Sequence, residues 1–256
     1  MNVREHPGLL GPNDPKPVEV LHPESAAEVL LVCEHAGRAV PASLDGLGVS
    51  AEILESHRGW DIGAAAVARR LAMLLDAPLI LQRYSRLVLD ANRPPGSPTS
   101  IPEVSHGAEI PANRDLSAGQ RAARVADILW PMDKAIEDTL ARHSRRAVFS
   151  VHSYTPELNG VHRPWHAGML TRRAPETAAR LIVSLRRQNP DLVLALNEPY
   201  RIEDDGDWFI PRHAEPRGLP HSLIEIRNDE IADEAGATRW ARLLATAISD
   251  VLEELR

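Results

Sequence analysis

The 256-residue chain is expected to fold as one α/β domain, with a mixed, mostly parallel β-sheet and helices on both faces. Short apolar runs bounded by turn residues, which are typical of buried strands, alternate with longer segments of helical periodicity. No internal repeat occurs and no linker divides the chain, so we expect a single core. At 43% hydrophobic residues, a chain of this length can bury such a core.

Seven apolar runs predict the strands of this sheet. Each run is short, is rich in valine, leucine or isoleucine, and is bounded by polar or turn-forming residues. The run that leads to His152 is the longest, and we expect the rest of the sheet to be organised around it. The predicted strands span residues 29–33, 78–81, 87–90, 147–154, 168–170, 192–196 and 222–227.

Four segments have the composition and apolar spacing of helices. Asp61 precedes the first of them at the position of an N-cap. Ser117 and Gln120 form the sequence pattern of a capping box at the start of the second. The predicted helices span residues 62–75, 117–142, 175–187 and 232–255.

The N-terminal segment, residues 1–26, is rich in proline and polar side chains. We expect it to form an arm over the surface, which leaves residues 27–256 as the folded domain. A second irregular segment, residues 91–116, forms a long loop between predicted elements. Loops of this length are uncommon and are often functional.

Composition and charge limit the classes of partner. The net charge of −7 comes without a basic run, so we expect neither a nucleic-acid nor a membrane partner. The single cysteine, Cys33, lies within an apolar run, which indicates a buried thiol. The sequence begins without the apolar region of a signal peptide, so we expect a cytoplasmic protein. It does not indicate the oligomeric state.

Polar residues follow several of the predicted strands and point to a metal site. The carboxyl ends of parallel strands meet at one edge of a sheet, where α/β proteins bind ligands. Two imidazoles, a carboxylate and one open position form the ligand set of a catalytic zinc ion. We therefore choose His35 and His152 as metal ligands. The alternative for His152 is a histidine that only hydrogen-bonds a loop.

Two residues near the start of the first helix are alternatives for the third ligand. Asp61 can reach the edge of the sheet from this position, although it can also serve as an ordinary N-cap. His57 lies four residues earlier and would share a face with Asp61 if the helix extended that far back. Gly59 lies between them and makes such an extension doubtful, so His57 is the second choice.

Glu225 is the candidate general base. It lies within a predicted strand between two isoleucines, so its side chain points away from theirs. A buried carboxylate is costly unless it meets a cation, an activated water or solvent. Beside a metal site it can take a proton from water and deliver it to a leaving nitrogen. The alternative is an ion pair with Arg227.

Two arginines, Arg86 and Arg93, are candidates for binding substrate carboxylates, because a guanidinium group binds a carboxylate through two hydrogen bonds. Either residue can instead be an ordinary surface arginine. Other mechanisms have less support. The chain has no G-x-S-x-G motif, no P-loop and no G-x-G-x-x-G motif. The apolar surroundings of Cys33 also argue against a cysteine nucleophile.

Five sequence stretches, taken together and in order, resemble the N-formylglutamate amidohydrolase family. Some of them also resemble, more distantly, the zinc carboxypeptidases and aspartoacylases. The resemblance runs from about residue 28 to the C-terminus and implies a fold of the zinc-carboxypeptidase or phosphorylase/hydrolase type. The stretches are Cys33-Glu34-His35-Ala36-Gly37, His57-Arg58-Gly59-Trp60-Asp61-Ile62-Gly63-Ala64, Ser85-Arg86-Leu87-Val88-Leu89-Asp90-Ala91-Asn92-Arg93-Pro94, Ser150-Val151-His152-Ser153-Tyr154 and Ile224-Glu225-Ile226-Arg227-Asn228-Asp229.

The resemblance to the zinc enzymes implies roles for individual residues. It implies His152 as a zinc ligand, Asn92 and Arg93 as carboxylate binders, and Glu225 as the base. In one respect the chain departs from these relatives, because Arg38 stands where their motif has a glutamate three residues after the first histidine. The third ligand therefore stays open. Ser153, beside His152, and His213, in a later loop, are additional candidates for substrate contacts.

The resulting hypothesis is a Zn²⁺-dependent amidohydrolase that removes the N-formyl group, or a similar small acyl group, from an acidic amino acid. The products from N-formyl-L-glutamate would be formate and glutamate, and the family resemblance suggests histidine breakdown as the pathway. One rival is a deacylase or peptidase for another N-acyl amino acid. The other rival is a metal-binding or ligand-binding protein without turnover.

Overall fold

The central feature of the computed structural model, which describes residues 8–255, is a seven-stranded β-sheet. Two short two-stranded hairpins accompany it. The strands are β1 (Val18–Leu21), β2 (Val29–Cys33), β3 (Leu79–Gln82), β4 (Val104–Ser105), β5 (Ala108–Glu109), β6 (Ala147–Tyr154), β7 (Glu157–Leu158), β8 (Val161–His162), β9 (Ala167–Leu170), β10 (Leu194–Leu196) and β11 (His221–Arg227).

The strand order in the large sheet is β1-β3-β2-β6-β11-β9-β10. Strands β3, β2, β6 and β11 run parallel to one another, and β10 runs parallel to β9. The antiparallel pairs are β1 with β3 and β11 with β9. The prediction of a mixed, mostly parallel sheet is confirmed, and β6 lies in its centre as expected.

The main helices follow the predicted segments closely. The capping box of Ser117 and Gln120 is present at the start of the second segment, where a π-helical stretch divides the helix into two parts. The helices are α1 (Ala51–Glu55), α2 (Ala64–Leu75), α3 (Ala118–Arg124), the π-helix (Val125–Leu129), α4 (Trp130–Arg142), α5 (Pro175–Gln188) and α6 (Glu234–Glu254).

The two faces of the sheet are covered by different helices. Successive side chains of a strand point to opposite faces, so each central strand contributes to both cores. In β2, Leu31 packs in the core formed with α2, α5 and α6, whereas Leu30 and Val32 pack in the core formed with α4. Both cores are fully buried. The prediction of helices on both faces is therefore confirmed.

Two predictions about local structure need correction. Residues 87–90 do not form a strand, because Val88 and Leu89 donate backbone hydrogen bonds to Ser85 in a turn. Their side chains are nevertheless buried, which explains the apolar run. The segment 1–26 contains β1, an edge strand of the sheet, so this part of it is more than a surface arm. Residues 1–7 lie outside the described part of the chain.

Asp61 is not the N-cap of α2. That position is occupied by Gly63, whose φ of 81° lies in the left-handed region, which glycine adopts without steric cost. A Cβ atom at residue 63 would also lie 2.3 Å from the carbonyl oxygen of Ile231. The chain therefore turns into α2 at a glycine, and the carboxylate of Asp61 is free to take part in the site described below.

Gly63→Ala is expected to reduce the free energy of unfolding more than Gly107→Ala does. Both glycines have nearly the same positive φ, but no atom lies within 4 Å of a Cβ built at Gly107. The difference should be about 1–3 kcal/mol, the usual cost of overpacking. Urea titrations of the two variants measure it, and equal losses of stability would contradict the close contact with Ile231.

Candidate active site

A cavity of about 530 Å³ lies at the carboxyl ends of β2, β6 and β11. These three strands are parallel and adjacent, so the residues at their ends meet at one edge of the sheet. The long loop 91–116 forms another wall through Thr99, Pro102 and the first residues of the β4–β5 hairpin. Residues from distant parts of the sequence therefore surround one polar cavity.

His35, Asp61 and His152 form a buried cluster at the base of this cavity. The Nδ1 atoms of the two imidazoles are 3.1 Å apart. The Oδ2 atom of Asp61 lies 2.9 Å from Nδ1 of His152 and 3.4 Å from Nδ1 of His35. The structure thus brings together the two histidines and the first-choice carboxylate of the predicted metal site.

Two further carboxylates hold the outer edges of the imidazoles. Nε2 of His35 lies 2.7 Å from Oδ1 of Asp90. Nε2 of His152 lies 3.0 Å from Oε2 of Glu34, and the two atoms form an ion pair whose angles do not suit a hydrogen bond. A carboxylate behind a histidine favours the tautomer with the proton at Nε2, which leaves the Nδ1 lone pair available to a metal.

Asp61 is tied to the site through both carboxylate oxygens. Oδ1 accepts a hydrogen bond of 3.2 Å from Nη1 of Arg86, and Oδ2 accepts one of 3.2 Å from the backbone N–H of Ser153. Burial raises the pKa of Asp61, but the electrostatic effect of the adjacent His35 imidazole and the hydrogen bond with His152 outweigh it. The pKa is held well below its usual range, so Asp61 is a carboxylate here.

His57 lies beside this cluster and not in it. Its Nδ1 atom is 3.9 Å from Oδ1 of Asp61, and it has no hydrogen-bond partner among the described residues. Burial lowers the pKa of His57 to about 4. The side chain is therefore a neutral imidazole that lines the cavity, and the structure favours Asp61 as the third donor.

Glu225 lies next to His152 on the neighbouring strand. The two residues are register partners in the parallel pair of β11 and β6, so their side chains project from the same face of the sheet. Burial raises the pKa of Glu225 to about 7, against the lowering effect of the positive charge of His152. Its Oε2 atom has no hydrogen-bond partner within residues 8–255, and the side chain lines the cavity.

Arg86 and Asn92 are engaged within the protein, although both line the cavity. Besides Asp61, the guanidinium of Arg86 binds Oδ2 of Asp90 at 2.9 Å. The side-chain oxygen of Asn92 accepts hydrogen bonds of 3.1 and 3.0 Å from the backbone N–H groups of Trp208 and Phe209. The contacts of Arg86 orient Asp61 and Asp90, and those of Asn92 hold the loop at residues 208–209. From the sequence, we expected both side chains to bind a carboxylate of the substrate.

Arg93 and Ser153 also line the cavity. Nη1 of Arg93 donates to the backbone oxygen of Gly206, and its Nε lies 3.8 Å from Oδ2 of Asp90. The side chain of Arg93 is one-third exposed, so part of the guanidinium is open to a ligand. The hydroxyl of Ser153 donates to the backbone oxygen of Ile62 at 2.8 Å, which fixes the end of β6 beside Asp61.

His213 does not belong to the cavity, so its proposed substrate contact is wrong. The residue is completely buried in the core on the α4 side of the sheet. Its Nε2 atom lies 2.7 Å from Oδ1 of Asp133 on α4. A polar residue in a loop before a strand can be a buried structural group as readily as a ligand contact, and the sequence carries no signal that separates the two.

Sequence reasoning gave no role to several residues of the site, among them Asp90, Glu34 and Tyr200. If β2 continued through Glu34 and His35, strand alternation would point their side chains to opposite faces; β2 instead ends at Cys33 and the chain turns, so the alternation does not apply. Tyr200 lines the cavity from the loop after β10, and its only distinguishing signal was its place at a predicted strand end. None of these residue types is diagnostic of a site.

The family relationship follows from comparison with known proteins. A sequence model described as N-formylglutamate amidohydrolase matches residues 27–232, most of the chain. The chain belongs to this family. The match includes every residue of the His35–Asp61–His152 cluster and Glu225. Membership of the N-formylglutamate amidohydrolase family makes the protein an amidohydrolase, an enzyme that cleaves an amide with water and acts on a small-molecule substrate.

Two solved structures are similar to the chain over nearly its whole length. A gene product of Agrobacterium tumefaciens is 36% identical, with a TM-score of 0.91 over 96% of this chain and 98% of its own. The N-formylglutamate amidohydrolase of Ralstonia eutropha is 19% identical, with a TM-score of 0.68 over 94% of this chain and 98% of its own. The latter similarity shows the fold. Curated proteins gave no match to the chain. Within residues 8–255, no helix is both long and apolar enough to span a membrane.

Proposed function

We propose that this amidohydrolase removes the N-formyl group, or a similar small acyl group, from an acidic amino acid, with N-formyl-L-glutamate as the substrate to test first. Family membership supports the amide bond as the target. The observation that carries the mechanism is the convergence of His35, Asp61 and His152 beside Glu225, whose Oε2 atom has no hydrogen-bond partner among the described residues. The cytoplasmic location and the role in histidine breakdown stay predictions.

The residues at the base of the cavity fit a divalent metal ion. Two Nδ1 lone pairs and one carboxylate oxygen converge within 3.4 Å of one another, and carboxylates hold the far edges of both imidazoles. Such a donor set with an open side is typical of a catalytic zinc site, so His35, Asp61 and His152 would hold Zn²⁺. When bound, zinc supplies a Lewis acid that polarises an acyl oxygen and lowers the pKa of water to about 7.

Glu225 is proposed as the group that moves the proton. As a carboxylate, it accepts a proton from the attacking water and then delivers this proton to the leaving nitrogen of the amide. Its position beside His152 and its free Oε2 atom support this role. Its burial keeps solvent from competing for the proton.

We propose Arg93 as the residue that binds a carboxylate of the substrate. Its guanidinium lines the cavity and is open on one side, and a planar guanidinium suits a carboxylate. We assign Arg86, Asn92 and Ser153 as positioning residues, because each holds an acid or a loop of the site in place. Arg86 and Asn92 can add a contact to substrate through the hydrogens that these bonds leave free.

Arg93→Ala is expected to raise KM for N-formyl-L-glutamate by at least tenfold and to change kcat much less. The loss of a charge-assisted hydrogen-bonded pair, worth about 1.5–3 kcal/mol, accounts for this effect. Steady-state kinetics of formate release measure it. An unchanged kcat/KM would remove Arg93 from substrate binding.

Metal analysis and a formate-release assay test the proposed function together. Purified protein, reconstituted with Zn²⁺, is offered N-formyl-, N-acetyl- and N-propionylglutamate, and N-formylaspartate serves as the test of side-chain length. Zinc at one equivalent with formate release from N-formylglutamate supports the proposal. Zinc with cleavage of another N-acyl amino acid supports a different deacylase. Absence of zinc binding contradicts the metal site, and absence of any cleavage contradicts the enzyme.

A further inference from the structure

A buried arginine, Arg163, lies next to the cavity and has no ion pair with a carboxylate among the described residues. Its side chain is only 6% exposed. Its Nε atom donates to the backbone oxygen of Thr155 at 2.7 Å, and its Nη2 donates to the hydroxyl of the same residue. A buried charge without a counter-ion is costly, so the burial of Arg163 needs a structural or functional explanation.

The remaining nitrogen of the Arg163 guanidinium, Nη1, contacts Tyr200 in the wall of the cavity. This atom donates a hydrogen bond of 2.7 Å to the hydroxyl oxygen of Tyr200. The guanidinium also lies against the aromatic rings of Tyr154 and Tyr200, 4.9 and 5.5 Å from their centres. Arg163 thereby joins the loop after β6, which follows His152, to the loop after β10, which carries Tyr200.

This arrangement fixes which way the Tyr200 hydroxyl can act. Its oxygen accepts from Arg163, so its proton is left to donate to another group, and the residue is 38% exposed and open to a ligand. Tyr200 lines the same cavity as Glu225 and Arg86. Burial and the charge of Glu225 raise the pKa of Tyr200, against the effect of Arg163, so the hydroxyl keeps its proton.

We infer that Tyr200 donates a hydrogen bond to the acyl oxygen of the substrate as this oxygen becomes negative, and that Arg163 is the residue that positions it. The inference rests on the proposed amide hydrolysis. Attack by water on the amide carbonyl breaks the C=O π bond and places a negative charge on this oxygen. A donor that is already oriented costs nothing to reorganise at that moment, and the contact with Arg163 makes the phenol a stronger donor.

Tyr200→Phe tests the inference, because it removes only the hydroxyl. We expect kcat to fall by about 10²-fold and KM to stay within about threefold, as for the loss of one oxyanion donor. The matched control is Tyr154→Phe, which removes the hydroxyl on the other side of Arg163. That hydroxyl donates to the backbone oxygen of Trp165 and lies outside the cavity. An unchanged kcat in Tyr200→Phe, or an effect on KM alone, overturns the inference.

Arg163→Met separates positioning from general structural support. If Arg163 acts through Tyr200, the double variant with Tyr200→Phe should be no slower than Tyr200→Phe alone, whereas independent effects would multiply. Thermal unfolding of each variant identifies a loss of folding. Multiplying effects would overturn the positioning role of Arg163.

A binding measurement keeps this test separate from the proposed reaction. A phosphonamidate analogue of N-formylglutamate carries a tetrahedral, negatively charged centre, whereas glutamate does not. Tyr200→Phe should weaken calorimetric binding of the analogue by about 10²-fold and leave glutamate binding unchanged. If the wild type releases no formate, the proposed function fails and this binding comparison alone decides about Tyr200. Equal binding of the analogue by both proteins, or none by either, overturns the inference.

Discussion

Glu225→Gln is expected to lower kcat by about 10²–10⁴-fold, the usual contribution of a positioned general base. Glutamine has nearly the same shape as glutamate but cannot accept a proton. The side chain lies beside His152 and is not one of the three clustered donors, so zinc content should stay at the wild-type level. Formate release and metal analysis of the same preparation measure both quantities.

Two variants sharpen this experiment. Glu225→Asp keeps the carboxylate but withdraws it by one methylene group, so it should recover part of the activity that glutamine loses. Glu215→Gln removes another buried carboxylate, which binds Arg172 outside the cavity, and should leave kcat unchanged. Full activity of Glu225→Gln, or the same loss in Glu215→Gln, would contradict the role of Glu225 as base.

The sequence was enough to predict that the carboxyl ends of the parallel strands lie at one edge, because the geometry of a sheet determines this. Parallel strands share one carboxyl edge, so His152 and Glu225 could be expected at the same edge, whereas the pairing of β6 with β11 is known only from the structure. The contacts that Arg86 and Asn92 make within the protein could not be predicted in this way. Their partners are set by the paths of loops, and no periodicity in the sequence describes these paths.

The errors in the predicted secondary structure have a related cause. An apolar run reports burial, and burial does not require a strand. Residues 87–90 are buried, yet their backbone hydrogen bonds are those of a turn. Conversely, β1 has only intermediate burial at the edge of the sheet and includes Glu19, so its pattern did not stand out from the polar segment around it.

The charges around the proposed metal site affect both its occupancy and the stability of the fold. Glu34, Asp61 and Asp90 bring three carboxylates into a buried region where Arg86 is the arginine that bonds to two of them. Burying this much negative charge is unfavourable unless a cation balances it. Protonated imidazoles can provide this balance in the free protein, and a divalent ion can provide it when bound. Zinc binding and folding stability should therefore be coupled.

His152→Ala is expected to abolish zinc binding and formate release, because it removes one donor, the ionic partner of Glu34 and the nearer of the two imidazoles beside Asp61. Zinc should raise the melting temperature of the wild type, since a ligand that binds only the folded state stabilises it, and should not raise that of the variant. Metal analysis and thermal unfolding with and without Zn²⁺ measure these effects.

Because His152→Ala also takes a charged partner from two buried carboxylates, it can fail to fold, and Asp90→Asn provides the second measurement. This substitution keeps the shape of the side chain, weakens the partner behind His35 and removes the negative charge that Arg86 also binds. Zinc affinity should fall by about 10–100-fold, as for other residues that support a metal ligand, while the fold is retained. The matched control is Asp133→Asn, which alters the equivalent contact of His213 away from the cavity and should leave zinc affinity unchanged. Wild-type zinc affinity in Asp90→Asn would show that His35 does not bind the metal through this arrangement.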